Sequence, residues 1–226
     1  ARYLVKAGGY RATVRIRDGH PDYGFMRAQL SMLEGDLHCS AEFVWLFGSD
    51  CLVHRPFRPE EYFDGSKPRL PFQTIETVAT QHRDALHWVP GTSALLGTPV
   101  RNEYMRTIPL VYPRELFKVV RRHVERAHGE HFDALINRRW ATAGDVSESN
   151  LLGSFAFDFV PHLFSWQDLG DCAYSDIPTK FPKPVLWLWS RGGLDRPCDT
   201  RAEFCGTNTL GKTCREILSI IKNSTT

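Results

Sequence analysis

The residues best placed to do chemistry lie in Phe43–Phe57, FVWLFGSDCLVHRPF, where an apolar run ends on Gly48-Ser49-Asp50 before a second short apolar run and Arg55-Pro56-Phe57. A carboxylate at the C-terminal end of a strand points into the crevice where open α/β sheets bind ligands. A hard divalent cation held there by one or two carboxylates would neutralise a diphosphate and make it a better leaving group. The same Asp50 could simply open a turn or cap a helix, the commoner task of a lone Asp after a strand. Glu148 offers a second carboxylate, within Asp145-Val146-Ser147-Glu148-Ser149-Asn150. It reads either as the first-turn acid of a helix N-capped by Ser147 or as a general base for an acceptor hydroxyl. His162, in Phe159-Val160-Pro161-His162, could complete a metal site or bind diphosphate. The alternative for it is a partly buried ring with one backbone hydrogen bond. Ser190-Arg191-Gly192-Gly193 has a Gly pair that would let backbone amides and Arg191 approach an anion, and reads equally as a loop with a surface Arg. Trp88 could stack on a sugar ring through its apolar face or belong to the core.

Three other motifs compete. Gly206-Thr-Asn-Thr-Leu-Gly211-Lys212-Thr213 matches a phosphate-binding loop letter for letter and opens a helix. The apolar strand that should precede it is missing, and so is the chain that should follow it with a Mg2+-binding Asp. Gly91-Thr92-Ser93-Ala94-Leu95 fails the nucleophile-elbow pattern at its last position. His128-Gly129-Glu130-His131 has the wrong spacing for a zinc protease and reads as capping near a helix C-terminus.

Positioning these groups takes strands alternating with helices, as in a layered α/β domain. Strands are expected at 11–17, Glu42–Phe47, Ser93–Gly97, Ile108–Tyr112, Ser154–Val160 and Val185–Trp189. Helices are expected at 22–37, from Ile75 to Leu86, from Pro113 to Ala127, and at Lys212–Lys222. The Pro- and Gly-rich stretch 55–72 reads as a long surface excursion forming a wall of the site.

Composition fits one compact domain over 1–226: the 226 residues are 42% hydrophobic and 24% charged, with fourteen Phe, six Trp and seven Tyr. That aromatic content leaves no room for a sizeable disordered tail. A net charge of +2, from 28 basic and 26 acidic residues, makes nucleic acid a poor candidate partner. No apolar run approaches the ~20 residues needed to cross a bilayer, so a soluble chain is expected, with the cytoplasm favoured. The six cysteines are widely spaced and mostly reduced on this reading, with one disulfide among Cys198, Cys205 and Cys214 as the alternative. With no C-x-x-C pair, a structural zinc has little support.

The Asp50 segment resembles the strand-plus-Asp-x-Asp element of GT-A glycosyltransferases, with Gly48 in the place of the first Asp. The likeness extends over roughly 20–195 and is nearest to a largely microbial branch of that fold. Tyr23-Gly24-Phe25 through Leu33 is similar to its Gly-aromatic helix with a Gln-Gln-x-x-Lys-Leu core, of which Gln29 and Leu33 remain. His87-Trp88-Val89-Pro90 with Ser93–Gly97 looks like the acceptor-side Trp segment, and Ser147-Glu148 through Gly153 like the Ser-Glu-x-x-x-x-Gly motif. The resemblance implies an α/β fold of GT-A type, a mixed sheet flanked by helices. Because only forty-nine residues precede Asp50, part of the N-terminal nucleotide-binding region is expected to be absent or shortened. It implies transfer of a sugar from a nucleotide-diphosphate sugar to a carbohydrate or other hydroxyl acceptor, assisted by Mn2+ or Mg2+. Asp50 and His162 would hold the metal, Ser49 or a water filling the gap left by Gly48. Gln29, Ser49, Asp50 and Arg191 would serve the donor, Trp88 and Glu148 the acceptor, with Glu148 as base. The rival readings are a catalytically silent GT-A-like carbohydrate-binding or assembly module and a phosphate-loop nucleotide-binding fragment.

Overall fold

The computed structural model describes residues 29–46, 51–53, 56–81, 86–136, 146–173, 176–177 and 185–187, the strands at 51–53 and 185–187 by their backbone alone. In chain order the elements are α1 (residues 29–33), α2 (Gly35–His38), β1 (Phe43–Leu46), β2 (Cys51–Val53), β3 (Phe63–Asp64), β4 (Lys67–Thr74) and α3 (Ile75–Gln81). They continue with α4 (Trp88–Leu96), β5 (Asn102–Glu103), β6 (Leu110–Pro113), α5 (Arg114–His128), α6 (residues 132–136), α7 (Glu148–Phe159), β7 (Ser165–Asp168) and β8 (Val185–Trp187). Short 3-10 turns occupy Pro59–Glu61 and Pro161–Leu163. The chain is therefore mixed helix and sheet, and most of its strand pairs are antiparallel.

Strand β4 is the hub of the largest sheet. It pairs antiparallel with β3 at its start and with β5 at its end, and parallel with β7 from Arg69↔Ser165 to Phe72↔Asp168. β1 pairs antiparallel with β6, and β2 with β8. Helix α5 shows why amphipathic spacing dictates packing: Leu116, Phe117, Val120 and Val124 recur on one face and all are buried. Arg121, on its flank, forms a two-pronged ion pair with Asp36 at 2.6 and 2.7 Å and donates to the Leu33 carbonyl, fixing α5 against α1 and α2.

Several expectations are corrected. Ser93–Gly97 is not a strand but the end of α4, whose Gly97 caps it at φ 72°. Thr92, Leu95 and Leu96 are buried at helical spacing, and Pro90 falls in the first turn, where an amide has no intrahelical partner to lose. In the expected strand Ser154–Val160, residues up to Phe159 are likewise helical, the second half of α7, and Val160 is its C-cap. The alternating Phe155, Phe157 and Phe159 mimic a strand, but the Ser147 cap sets a helix in which Phe155 and Phe159 stack four residues apart, ring centroids at 4.8 Å. The stretch 55–72 is not all excursion: its last third, from Lys67, belongs to the hub strand β4, with Leu70 fully buried. Its prolines read as loop punctuation, yet Pro keeps its acceptor, and Phe72 still accepts from Leu169 N at 3.0 Å.

His128 also does something other than cap its own helix. Its Nε2 meets the Leu95 carbonyl at 3.0 Å and His123 Nε2 meets that of Leu96 at 3.0 Å, so two histidines of α5 serve the orphan carbonyls at the end of α4. Cys39 and Cys172 are free thiols. Among the described residues no helix is long and apolar enough to cross a membrane. The expected strand at 11–17, the phosphate-loop motif 206–213, the final helix and the three C-terminal cysteines lie outside the described residues.

Candidate functional site

Glu148 begins α7, a helix whose first nine residues are all buried. The sequence builds that turn from small polar groups. Ser147 is extended and its hydroxyl accepts from Asn150 N at 3.3 Å, satisfying one of the amides a helix start leaves open. The amide of Glu148 itself donates to Gln29 Oε1 at 2.7 Å, so α1 supplies a second cap from far away in sequence. Gln29 and Glu148, both expected at the site, are thus in direct contact. The amide oxygen of Gln29 is spent on holding α7.

Asn150 ties the same turn to the chain around β5. Its Oδ1 accepts from Tyr104 N at 2.8 Å and its Nδ2 donates to Glu103 Oε2 at 2.7 Å. Glu103 Oε1 accepts from Met105 N at 3.1 Å, and the buried Arg106 follows in the same loop. From β6, Tyr112 directs its hydroxyl at the Ser149 carbonyl at 3.4 Å. One helical turn farther on, Gly153 lies flat against the ring of Tyr104, and a Cβ at that position would collide with it. The glycine of the Ser-Glu-x-x-x-x-Gly stretch is therefore needed for close approach.

Two carboxylates are consequently sealed in one polar cluster, Glu103 at 1% and Glu148 at 4% exposure. Their surroundings differ. Burial pushes the Glu103 carboxyl above its usual range, while the Arg106 charge and the bonds from Asn150 and Met105 pull it back. Burial also pushes Glu148 up; the Ser149 hydroxyl, donating to Oε1 at 2.9 Å, and backbone amides offset part of this, whereas the Glu103 charge adds to it. Glu148 Oε2 is sealed from solvent with no hydrogen-bond partner among the described residues. An oxygen buried without a partner favours holding a proton over carrying charge.

Trp88 opens α4, half-buried, with its ring centroid 4.0 Å from that of His87. Glu103 also feels the His87 charge through space, the weakest of its principal influences. His162 is elsewhere. It follows a helix rather than the expected strand and is exposed in the turn after α7. At ~1.5 Å of rise per residue, roughly 16 Å of helix separates Glu148 from Phe159, so His162 and Glu148 do not converge on one ligand. Ser49, Asp50 and Arg191 lie outside the described residues, although β1 and β2, which flank Ser49 and Asp50, are in place. Among the described residues no group of three or more His, Cys, Asp or Glu could hold a metal ion.

Sequence reasoning missed Glu103, Tyr104 and Arg106. Arg101-Asn102-Glu103-Tyr104 is polar and lies between a helix and a strand, which reads as solvated chain. Only the pairing of Gln73↔Glu103 and Thr74↔Asn102 with the hub strand carries it inside. Searches of family models, curated proteins and solved structures with this chain return no match.

Proposed function

We propose that this chain is a glycosyltransferase of GT-A type that moves a sugar from a nucleotide-diphosphate donor to a hydroxyl acceptor, with Glu148 receiving the acceptor's proton. The observation that carries this reading is Glu148 itself: its backbone amide is held by Gln29, one carboxyl oxygen is satisfied by Ser149, and the other is left without a partner among the described residues. As the acceptor oxygen bonds to the anomeric carbon, the bond from that carbon to the diphosphate breaks and its electron pair leaves with the diphosphate. The hydroxyl proton passes to Glu148 Oε2. Mn2+ or Mg2+, when bound, would offset the charge of the departing diphosphate. Asp50 would hold that ion in this proposal, and the proton transfer to Glu148 does not pass through it.

Titration calorimetry with a panel of nucleotide sugars, with and without Mn2+, together with a transfer assay, tests the reading. Wild type binds one donor and transfers its sugar. Glu148→Gln, which keeps its backbone amide on Gln29, binds that donor unchanged and loses transfer by about 10²–10⁴-fold, the usual worth of a positioned base. A second reading, the catalytically silent carbohydrate-binding or assembly module, is favoured by Gly48 in the Asp-x-Asp position and by the depth at which Glu148 is buried. It predicts no donor binding under either condition.

A further inference from the structure

Two buried carboxylates meeting at one helical turn are costly unless each has a task, and among the described residues only one of them has a cation acting on it strongly. Arg106 and the bonds from Asn150 and Met105 stabilise charge on Glu103. Around Glu148 there is a hydroxyl, an unpartnered oxygen and the negative charge of Glu103. We propose that Glu103 is a positioning residue for Glu148: clamped to Asn150 and backed by Arg106, it fixes the first turn of α7 and sets how strongly Glu148 holds a proton. This rests on the reading of Glu148 as the acceptor-side base, but it concerns a coupling between two side chains that exists without any donor.

The groups facing the pair come from every element around it. Arg106 and Tyr104 belong to the chain after β5, His87 precedes α4, and Tyr112 comes from β6. Asp158, on α7, acts on Tyr104. Of these, Arg106 and a protonated His87 favour charge on Glu103, and none is a cation acting on Glu148 among its principal influences. Where Glu103 is ionised, its negative charge makes the Glu148 carboxylate more basic, so Glu148 keeps a proton it has taken. Two carboxyls coupled this way titrate as a unit, and the coupling is the same seen from either side.

The test is a pH titration of the full chain with 13C-labelled glutamate side chains, read by NMR, the two signals assigned by loss in Glu103→Gln and Glu148→Gln. In folded Glu103→Gln the Glu148 midpoint moves to lower pH, while in Glu148→Gln the Glu103 midpoint stays in place, because Glu103 already ionises beside a protonated Glu148. Where Glu103→Gln fails to fold, Glu103→Asp decides instead: its carboxylate, one methylene short of Asn150, draws back from the first turn of α7 and the Glu148 midpoint again moves to lower pH. An unmoved Glu148 midpoint overturns the proposal. In the transfer assay, the acid limb of the rate profile of Glu103→Gln moves to lower pH with the Glu148 midpoint. A wild type that transfers no sugar, with the Glu148 midpoint still moving in Glu103→Gln, defeats the glycosyltransferase reading and leaves the coupling standing.

Discussion

The two ends of α7 invert the usual distribution of side chains. At its start, Glu148, Ser149 and Asn150 are buried; at its end Phe159 is 45% exposed, and Leu163, in the next turn, 40%. A globular helix normally buries its apolar residues and solvates its polar ones. Polar groups remain inside at the first turn because nearly every one has a partner from another element: Gln29 from α1, Glu103 and Tyr104 from the β5 region, Tyr112 from β6. The Glu148 Oε2 atom is the departure from that pattern. At the other end, Phe159 rests on Phe155 and on His123, at 4.8 Å from each ring. A network satisfied from several directions fixes a position; a half-exposed stack merely covers one. The start of α7 is built for placement and its end for packing.

The largest effect expected from that contrast is at Asn150. Asn150→Ala leaves the Tyr104 amide and Glu103 Oε2 buried without their partners, at ~1–3 kcal/mol each. A loss of about 4 kcal/mol in urea unfolding, at unchanged m, is expected. A loss below about 1 kcal/mol would mean that solvent or a neighbour replaces the amide, and the start of α7 would then be no more specified than its end.

Gly153→Ala comes next. In an exposed helix this change gains ~1 kcal/mol of propensity. Here the added methyl meets the ring of Tyr104, which is 1% exposed and has nowhere to move. Overpacking of this kind costs ~1–3 kcal/mol, and the close approach places it at the upper end. The net expectation is a loss of about 2 kcal/mol in the same unfolding measurement. Pairing it with Tyr104→Leu should restore part of the loss, since the smaller side chain vacates the ring's volume; no recovery would place the clash elsewhere.

How much of this is legible in the sequence depends on whether the signal is local. α5 announces itself through Leu116, Val120 and Val124, and Ser147 through its position before Glu148, because periodicity and capping act within a few residues. Strand β1 follows from the run Phe43–Leu46. The second halves of α4 and α7 read as strands because short apolar runs look alike in either state, and much of what decides between them is distant: His123 and His128 closing the end of α4, Gln29 joining Ser147 at the start of α7. β4 is obscured by its own prolines. The site divides in the same way. Glu148 can be singled out from its flanking serines and Gly153, whereas Glu103 cannot, since its importance comes from a contact 47 positions away in sequence.

The smallest effects belong to the far end of the helix. Phe159→Ala removes a ring already half in water, together with its stack on Phe155 and its contact with His123. Discounting a buried aromatic for that exposure, and retaining ~0.5–1.5 kcal/mol for the ring pair, gives a loss of about 1 kcal/mol. Combining it with Asn150→Ala sharpens the comparison further. About nine residues of helix place the two sites roughly 13 Å apart, one bonded to Glu103 and Tyr104 and the other stacked on Phe155 and His123, so their effects should add to within ~0.5 kcal/mol. A larger interaction energy in the double mutant would show that α7 transmits strain from its packed end to the turn holding Glu148. The stack of the half-exposed Phe159 on the buried Phe155 would then help to place the carboxylate as well as to cover the core.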